Sequence, residues 1–252
     1  MKTTKDNVRI AVGRWIFWCS CMCILPSSGI KAQEKLRALE GQDTEATTPM
    51  VLLENWEGLP LPFAHKVDGA VNIGDELVMF YSGTSCILYD LSDPLHPYAP
   101  FAMKDSIAGW STFWTEGISD AVEFNDTTVL IFYGDEYVWQ DIATYEVSDP
   151  KIFQGLPEDW NGAVDAIVRW SANQIIFMHG TMYVEWDLVD DTMSEPASIL
   201  LWPGWPADWT SVDAATNPGY DVVYFFRQGN YMAYDQSLGE FIAGFPKPIG
   251  GK

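Results

Sequence analysis

The chain has 252 residues, of which 48% are hydrophobic and 19% charged, with 12 Trp, 13 Phe and 11 Tyr. That apolar content excludes a disordered chain and allows one large domain or two small ones, while the aromatic share favours sheet over helix. Fourteen basic residues against 35 acidic give a formal net charge of −21, which repels phosphate backbones and anionic lipid and excludes nucleic acid as a natural partner.

Residues 1 to 33 read as a secretory signal peptide. Lys2, Lys5, Arg9 and Arg14 precede an eleven-residue apolar run, Trp15 to Leu25, and small residues lead to a cleavage point near Ala32-Gln33. The run is too short to span a bilayer comfortably; an uncleaved signal anchor is the alternative. Cleavage removes five basic residues and one acid, leaving an exported chain of net charge −25 with no membrane segment. It also removes Cys19, Cys21 and Cys23, so Cys86 remains alone and no intramolecular disulfide can form. Residues 34 to 50 mix charge, Thr and Pro without apolar period and are expected to be a flexible tether.

From residue 51 onward the chain repeats itself. Written from an opening Asp, the copies run Asp68 to Asp90, Asp120 to Asp141, Asp165 to Asp187 and Asp213 to Asp235. Each holds two β-rich runs split by an internal Gly (Gly83, Gly134, Gly180, Gly229), the pattern of an antiparallel hairpin, and the opening stretch adds a shorter strand. A small residue follows each opening Asp: Gly69, Ala121, Ala166 and Ala214. The joints also recur, as Trp56-Glu57-Gly58-Leu59-Pro60, Phe153-Gln154-Gly155-Leu156-Pro157 and Trp202-Pro203-Gly204-Trp205-Pro206; before the second copy Gly109, Trp110 and Trp114 stand without the Pro.

Sheet repeats of this length imply radial blades, because one small sheet cannot cover both its faces and its neighbours must. The expectation is an all-β, four-bladed β-propeller over residues 51–252, with blades at about 51–107, 108–153, 154–202 and 203–252, whose small residues crowd an axis. A two-sheet sandwich, the alternative, predicts no such recurring small position.

The D-A-[AV] opening, the aromatic run ending in Gly, the close of the second copy from Gly134-Asp135-Glu136-Tyr137 to Asp141, and the terminal Gly244-Phe245-Pro246 resemble the hemopexin repeat family. The resemblance covers residues 51 to 250, with the first copy the weakest match. It implies a narrow axial tunnel in which the backbone carbonyls of Asp68, Asp120, Asp165 and Asp213 hold Ca2+ or Na+, while amides just after them reach an anion. Many family members tie the first blade to the last by a disulfide. This chain cannot, so ring closure is expected to rest on packing, with Val51 to Phe63 as the supplier.

The candidates for chemistry are few. The only histidines are His65, His96 and His179, without the spacing of a zinc protease. His96, between Pro94 and Pro97, is the nearest candidate for a haem ligand, although haem is disfavoured and a rigid loop residue is the simpler reading. Paired acids such as Asp190-Asp191 single out no glycosidase pair. Trp110, Trp114, Trp205 and Trp209 could stack on sugars but are expected to wedge between blades, and Cys86 to be an inert core thiol. The sequence therefore predicts a secreted, non-enzymatic binding or adhesion module for an extracellular protein, a glycan or a small cationic ligand. A carrier of haem or polyamine is the alternative, and a glycan-acting enzyme the least favoured.

Overall fold

The structure, a computed structural model, describes residues 56–250 apart from residues 75, 108, 111–113 and 220. The expected signal peptide, the tether and residues 51–55 lie outside the described residues. Four antiparallel sheets follow one another along the chain. The first holds β1 (Gly69–Ile73), β2 (Leu77–Ser82), β3 (Ser85–Asp90) and β4 (Phe101–Ala102); the second β5 (Asp120–Asn125), β6 (Thr128–Tyr133), β7 (Glu136–Asp141) and β8 (Lys151–Ile152). The third holds β9 (Ala166–Ser171), β10 (Gln174–His179) and β11 (Met182–Asp187), with β12 (Thr192–Met193) and β13 (Ala197–Ser198) both on the outside of β11. The fourth holds β14 (Ala214–Thr216), β15 (Val222–Arg227) and β16 (Asn230–Asp235), with β17 (Glu240–Phe241) and β18 (Lys247–Pro248) outermost. The inner strands β1, β5, β9 and β14 adjoin one another in a closed ring, so the sheets are the four blades of a propeller.

Each blade is covered on both faces, which is why its second strand reads as an unbroken apolar run. Strand alternation divides that run between two seams. In β6, Val129 and Ile131 face blade 1, whereas Leu130 and Phe132 face blade 3. In β15, Val223 and Phe225 face blade 3, and Val222, Tyr224 and Phe226 face blade 1. A polar substitution in such a strand therefore damages one seam and spares the other.

Recurring aspartates hold the turns. The opening side chains accept from a hairpin-turn amide fifteen residues on: Asp68 from Gly83, Asp165 from Gly180 and Asp213 from Gln228, at 2.6–2.7 Å. The closing ones, Asp90, Asp141, Asp187 and Asp235, each accept from an amide two or three residues later, the local bond that favours Asp in turns.

Two repeat registers differ from the sequence expectation. In the second blade the amide of Gly134 is bonded by Ser119 Oγ, and the Ser119 amide donates to the Phe132 carbonyl as the Asp68 amide does to that of Tyr81. Ser119 is thus the equivalent of Asp68, and Asp120, paired with Phe132, is the equivalent of Gly69, Ala166 and Ala214. A hydroxyl does the work of a carboxylate at this turn, and the Asp beside it is a different residue with a different role. In the fourth blade the first turn position is Gln228, at φ 48°, and Gly229 follows at φ 74°. A Cβ on Gly229 would stand 3.0 Å from the Ala64 carbonyl oxygen, so this glycine makes room for the chain entering blade 1.

The ring closes by packing. Trp56 is fully buried with its ring centroid 5.0 Å from Phe80 and 5.4 Å from Tyr89 of blade 1, and 5.2 Å from Tyr224 and 5.5 Å from Phe226 of blade 4. Leu59 and Phe63, the latter in the short helix α1 (Leu61–His65), join the same cluster, and Ile249 enters it from the other end of the chain.

Candidate functional site

The innermost strands bring one residue from each blade to the axis. Asp120 is fully buried there. Its Oδ1 accepts from the amides of Ala70 at 3.0 Å and Ala121 at 2.7 Å, and its Oδ2 accepts from that of Ile167 at 2.6 Å. These three donors hold equivalent positions in blades 1, 2 and 3, and the equivalent amide of blade 4, that of Ala215, exerts a weaker pull on the same carboxyl. Burial holds the Asp120 carboxyl well above its ordinary range, against the smaller downward pull of the amides of Ile167, Ala121, Ala70 and Ala215.

Glycine at position 69 is what lets this carboxylate in. A Cβ there would stand 3.0 Å from both Asp120 Oδ1 and Ile118 Cδ1, and 3.2 Å from Asp120 Cα. Blades 3 and 4 carry Ala at the same register, so the restriction is particular to this seam, where Asp120 and Ile118 face the glycine. Gly69→Ala is expected to destabilise the protein by about 1–3 kcal/mol through overpacking, and to cost less beside Asp120→Ala, which removes the carboxylate part of the contact and leaves Ile118. A double-mutant cycle in denaturant checks this; equal costs in both backgrounds would refute the contact.

Three residues further along the axis a polar girdle forms from Asn72, Glu123, Arg169 and Asn217, all buried, again one per blade. Asn72 Nδ2 donates to Glu123 Oε2, linking blades 1 and 2. Arg169 donates to the carbonyls of Glu123 and Phe124 in blade 2, and through Nε and Nη2 to those of Ser171 and Ala172 in its own turn. Asn217 Nδ2 donates to the Arg169 and Trp170 carbonyls at 2.9 and 3.3 Å, and Gln236 Nε2 donates to that of Trp170 at 2.8 Å, linking blades 3 and 4. Between the Asp120 amides and this girdle, Val71, Val122, Val168 and Thr216 narrow the axis until no water molecule fits.

The side chains of Asp68, Asp165 and Asp213 are committed to hairpin-turn amides, and only Asp120 reaches the axis. His96 is exposed, with Nδ1 2.9 Å from Asp93 Oδ1, in the loop after β3. His179 Nδ1 lies 3.4 Å from Asp165 Oδ2, with its ring against Trp160. Among the described residues no group of three or more His, Cys, Asp and Glu side chains is placed to hold a metal ion. Trp114, Trp205 and Trp209 are buried between blades, and Trp110 packs edge-on against Trp114. Cys86 is buried, which pushes its thiol above the ordinary range. By contrast Trp139, on β7, is 40% exposed. No described helix is long and apolar enough to cross a membrane.

The chain superposes on a hemopexin-fold protein from cow pea with a TM-score of 0.59 at 14% identity, covering 75% of this chain and 94% of that one. A Cicer arietinum albumin showing hemagglutination gives 0.58 at 15% identity (73% and 93% covered), and a Cicer arietinum lectin with two metal-binding sites gives 0.55 at 18% (74% and 91%). No protein-family profile and no curated protein matches the sequence. At such identities the likeness establishes architecture. The protein is a hemopexin-like four-bladed propeller.

Proposed function

We propose that this protein is an exported, non-catalytic binding module whose partner is an extracellular protein or a glycan. The observation that carries the reading is the commitment of the repeated carboxylates: Asp68, Asp165, Asp213 and the four closing aspartates bond to backbone amides, so the carboxylates that recur at the blade ends serve the scaffold. The fold likeness to a lectin and to an albumin that agglutinates red cells supports a sugar-bearing partner. Trp139 offers an exposed indole on which a sugar face can stack.

The test is an array of glycans and matrix proteins probed with the purified protein, followed by Trp139→Ala. Binding that falls about tenfold in the variant, the scale of one aromatic contact, supports the reading. Turnover of any arrayed glycan would overturn it.

The charge of −21 favours a second reading, a carrier for a small cationic ligand such as a polyamine. Spermine then binds saturably near one equivalent while the array stays blank. Haem is the weaker carrier variant; haemin binding weakened by His96→Ala would establish it. A hard cation, Ca2+ or Na+, on the backbone carbonyls of Asp68, Asp120, Asp165 and Asp213 stays within the proposal, because neutral oxygens suit such ions. With the register found for blade 2, Ser119 completes that ring in place of Asp120.

A further inference from the structure

The resemblance to hemopexin repeats implies an external anion held by axial amides. This chain does not fit one. Of the four amides that would hold it, those of Ala70, Ala121 and Ile167 already donate to Asp120 and that of Ala215 acts on the same carboxyl, and the axis beyond them leaves no room for a water molecule. We propose that Asp120 is a built-in anion: its carboxylate occupies the axial amide receptor, ties blades 1, 2 and 3 together at one point, and excludes free anions from the axis.

The chemistry of the donors supports this. Each amide comes from a different blade, and none can be satisfied by its own strand ladder while it points at the axis. Two carboxylate oxygens offer about four acceptor sites, enough for the three amides that donate to them. Protonating the group would sacrifice at least one of these bonds. The residue's place in the repeat argues the same way. Blades 1, 3 and 4 put Gly69, Ala166 and Ala214 where blade 2 puts Asp120, and one carboxylate is all the space admits, since Gly69 leaves only 3.0 Å between a would-be Cβ and Oδ1. The inference concerns the hub of the ring and is independent of what binds at its rim.

Asp120→Ala gives blade 2 the residue that blades 3 and 4 already carry at that position, so the backbone can keep its course while the amides of Ala70, Ala121 and Ile167 lose their partner. The vacated receptor suits a monovalent anion of halide size. Thermal unfolding of the wild type and of Asp120→Ala is followed at constant ionic strength while gluconate is replaced by bromide. The wild type is expected to show no bromide-specific change. The variant is expected to gain about 3–5 °C in Tm for each tenfold rise in bromide above half-saturation. A variant indifferent to bromide, or a wild type that responds as strongly, overturns the proposal. Should the variant fold in neither salt, the bromide NMR linewidth of the wild type decides: specific broadening abolished by excess chloride sinks the idea, and its absence supports it.

Discussion

Replacing Trp56 with alanine is expected to lower the free energy of unfolding by about 3–5 kcal/mol, the range for removing a large aromatic ring from a packed core. The indole is fully buried and touches two rings of blade 1 and three of blade 4, the last being Tyr231 at 6.4 Å. No disulfide spans this seam, because the one cysteine among the described residues, Cys86, is free. The cavity left by the ring would open in the seam where blades 1 and 4 meet both ends of the folded ring. Trp56→Phe should recover a substantial part of the loss, since the edge-to-face contacts with Phe80 and Tyr224 survive in a smaller ring. Denaturant midpoints with an unchanged slope would identify the effect as lost stability. A midpoint shift below about 1 kcal/mol would mean that the seam collapses around the gap and that Trp56 is no wedge.

Arg169 should be nearly as sensitive, for a different reason. Its guanidinium is buried and bonds to backbone carbonyls of Glu123, Phe124, Ser171 and Ala172, so Arg169→Met fills the volume but strands four acceptors. A buried acceptor left without a donor costs about 1–3 kcal/mol, and relaxation will rescue some of the four, so a net loss of about 3–5 kcal/mol is expected. Arg169→Lys should restore less than half. An ammonium is a point donor and cannot fork between the two strand ends that the planar guanidinium bridges. Amide exchange adds a local readout: Glu123, Phe124 and neighbouring residues of blades 2 and 3 should lose protection before the blade 1 and 4 strands do. Uniform loss across the ring would count against a local lace.

Much of this architecture is legible in the sequence because the repeat is enforced by turn chemistry. An Asp that caps a hairpin turn and an Asp that caps the next one leave periodic marks whatever the strands between them do. The apolar runs between those marks are unbroken because both faces are covered, and this points to stacked blades rather than a half-exposed sheet. The second blade departs from this pattern by one residue. Searching for Asp finds Asp120, although the cap of that turn is the hydroxyl of Ser119. The trace was present in the lengths: the second copy runs 22 residues from its opening Asp and the others 23.

The axial chemistry was hidden for another reason. Asn72, Glu123, Arg169 and Asn217 share neither charge nor shape, so no motif connects them; they meet only because four inner strands end at one level after the ring closes. Asp120 belongs to the same class. Its significance depends on amides from neighbouring blades, those of Ala70 and Ile167, 50 and 47 residues away along the chain. Glycine at position 69 was visible as small, but the reason it must be small is what stands opposite, the Asp120 carboxylate and the Ile118 side chain.

The four seams are not held in the same way. Three are stitched by hydrogen bonds at the girdle, from Asn72 to Glu123, from Arg169 to Phe124, and from Asn217 to Trp170. The seam between blades 4 and 1 is dominated by aromatic rings around Trp56. Burial of apolar surface loses its driving force as water cools, whereas hydrogen bonds do not follow that trend. Cooling is therefore expected to weaken this seam more than the three laced ones, so that amide exchange in chilled protein rises first in the strands flanking Trp56.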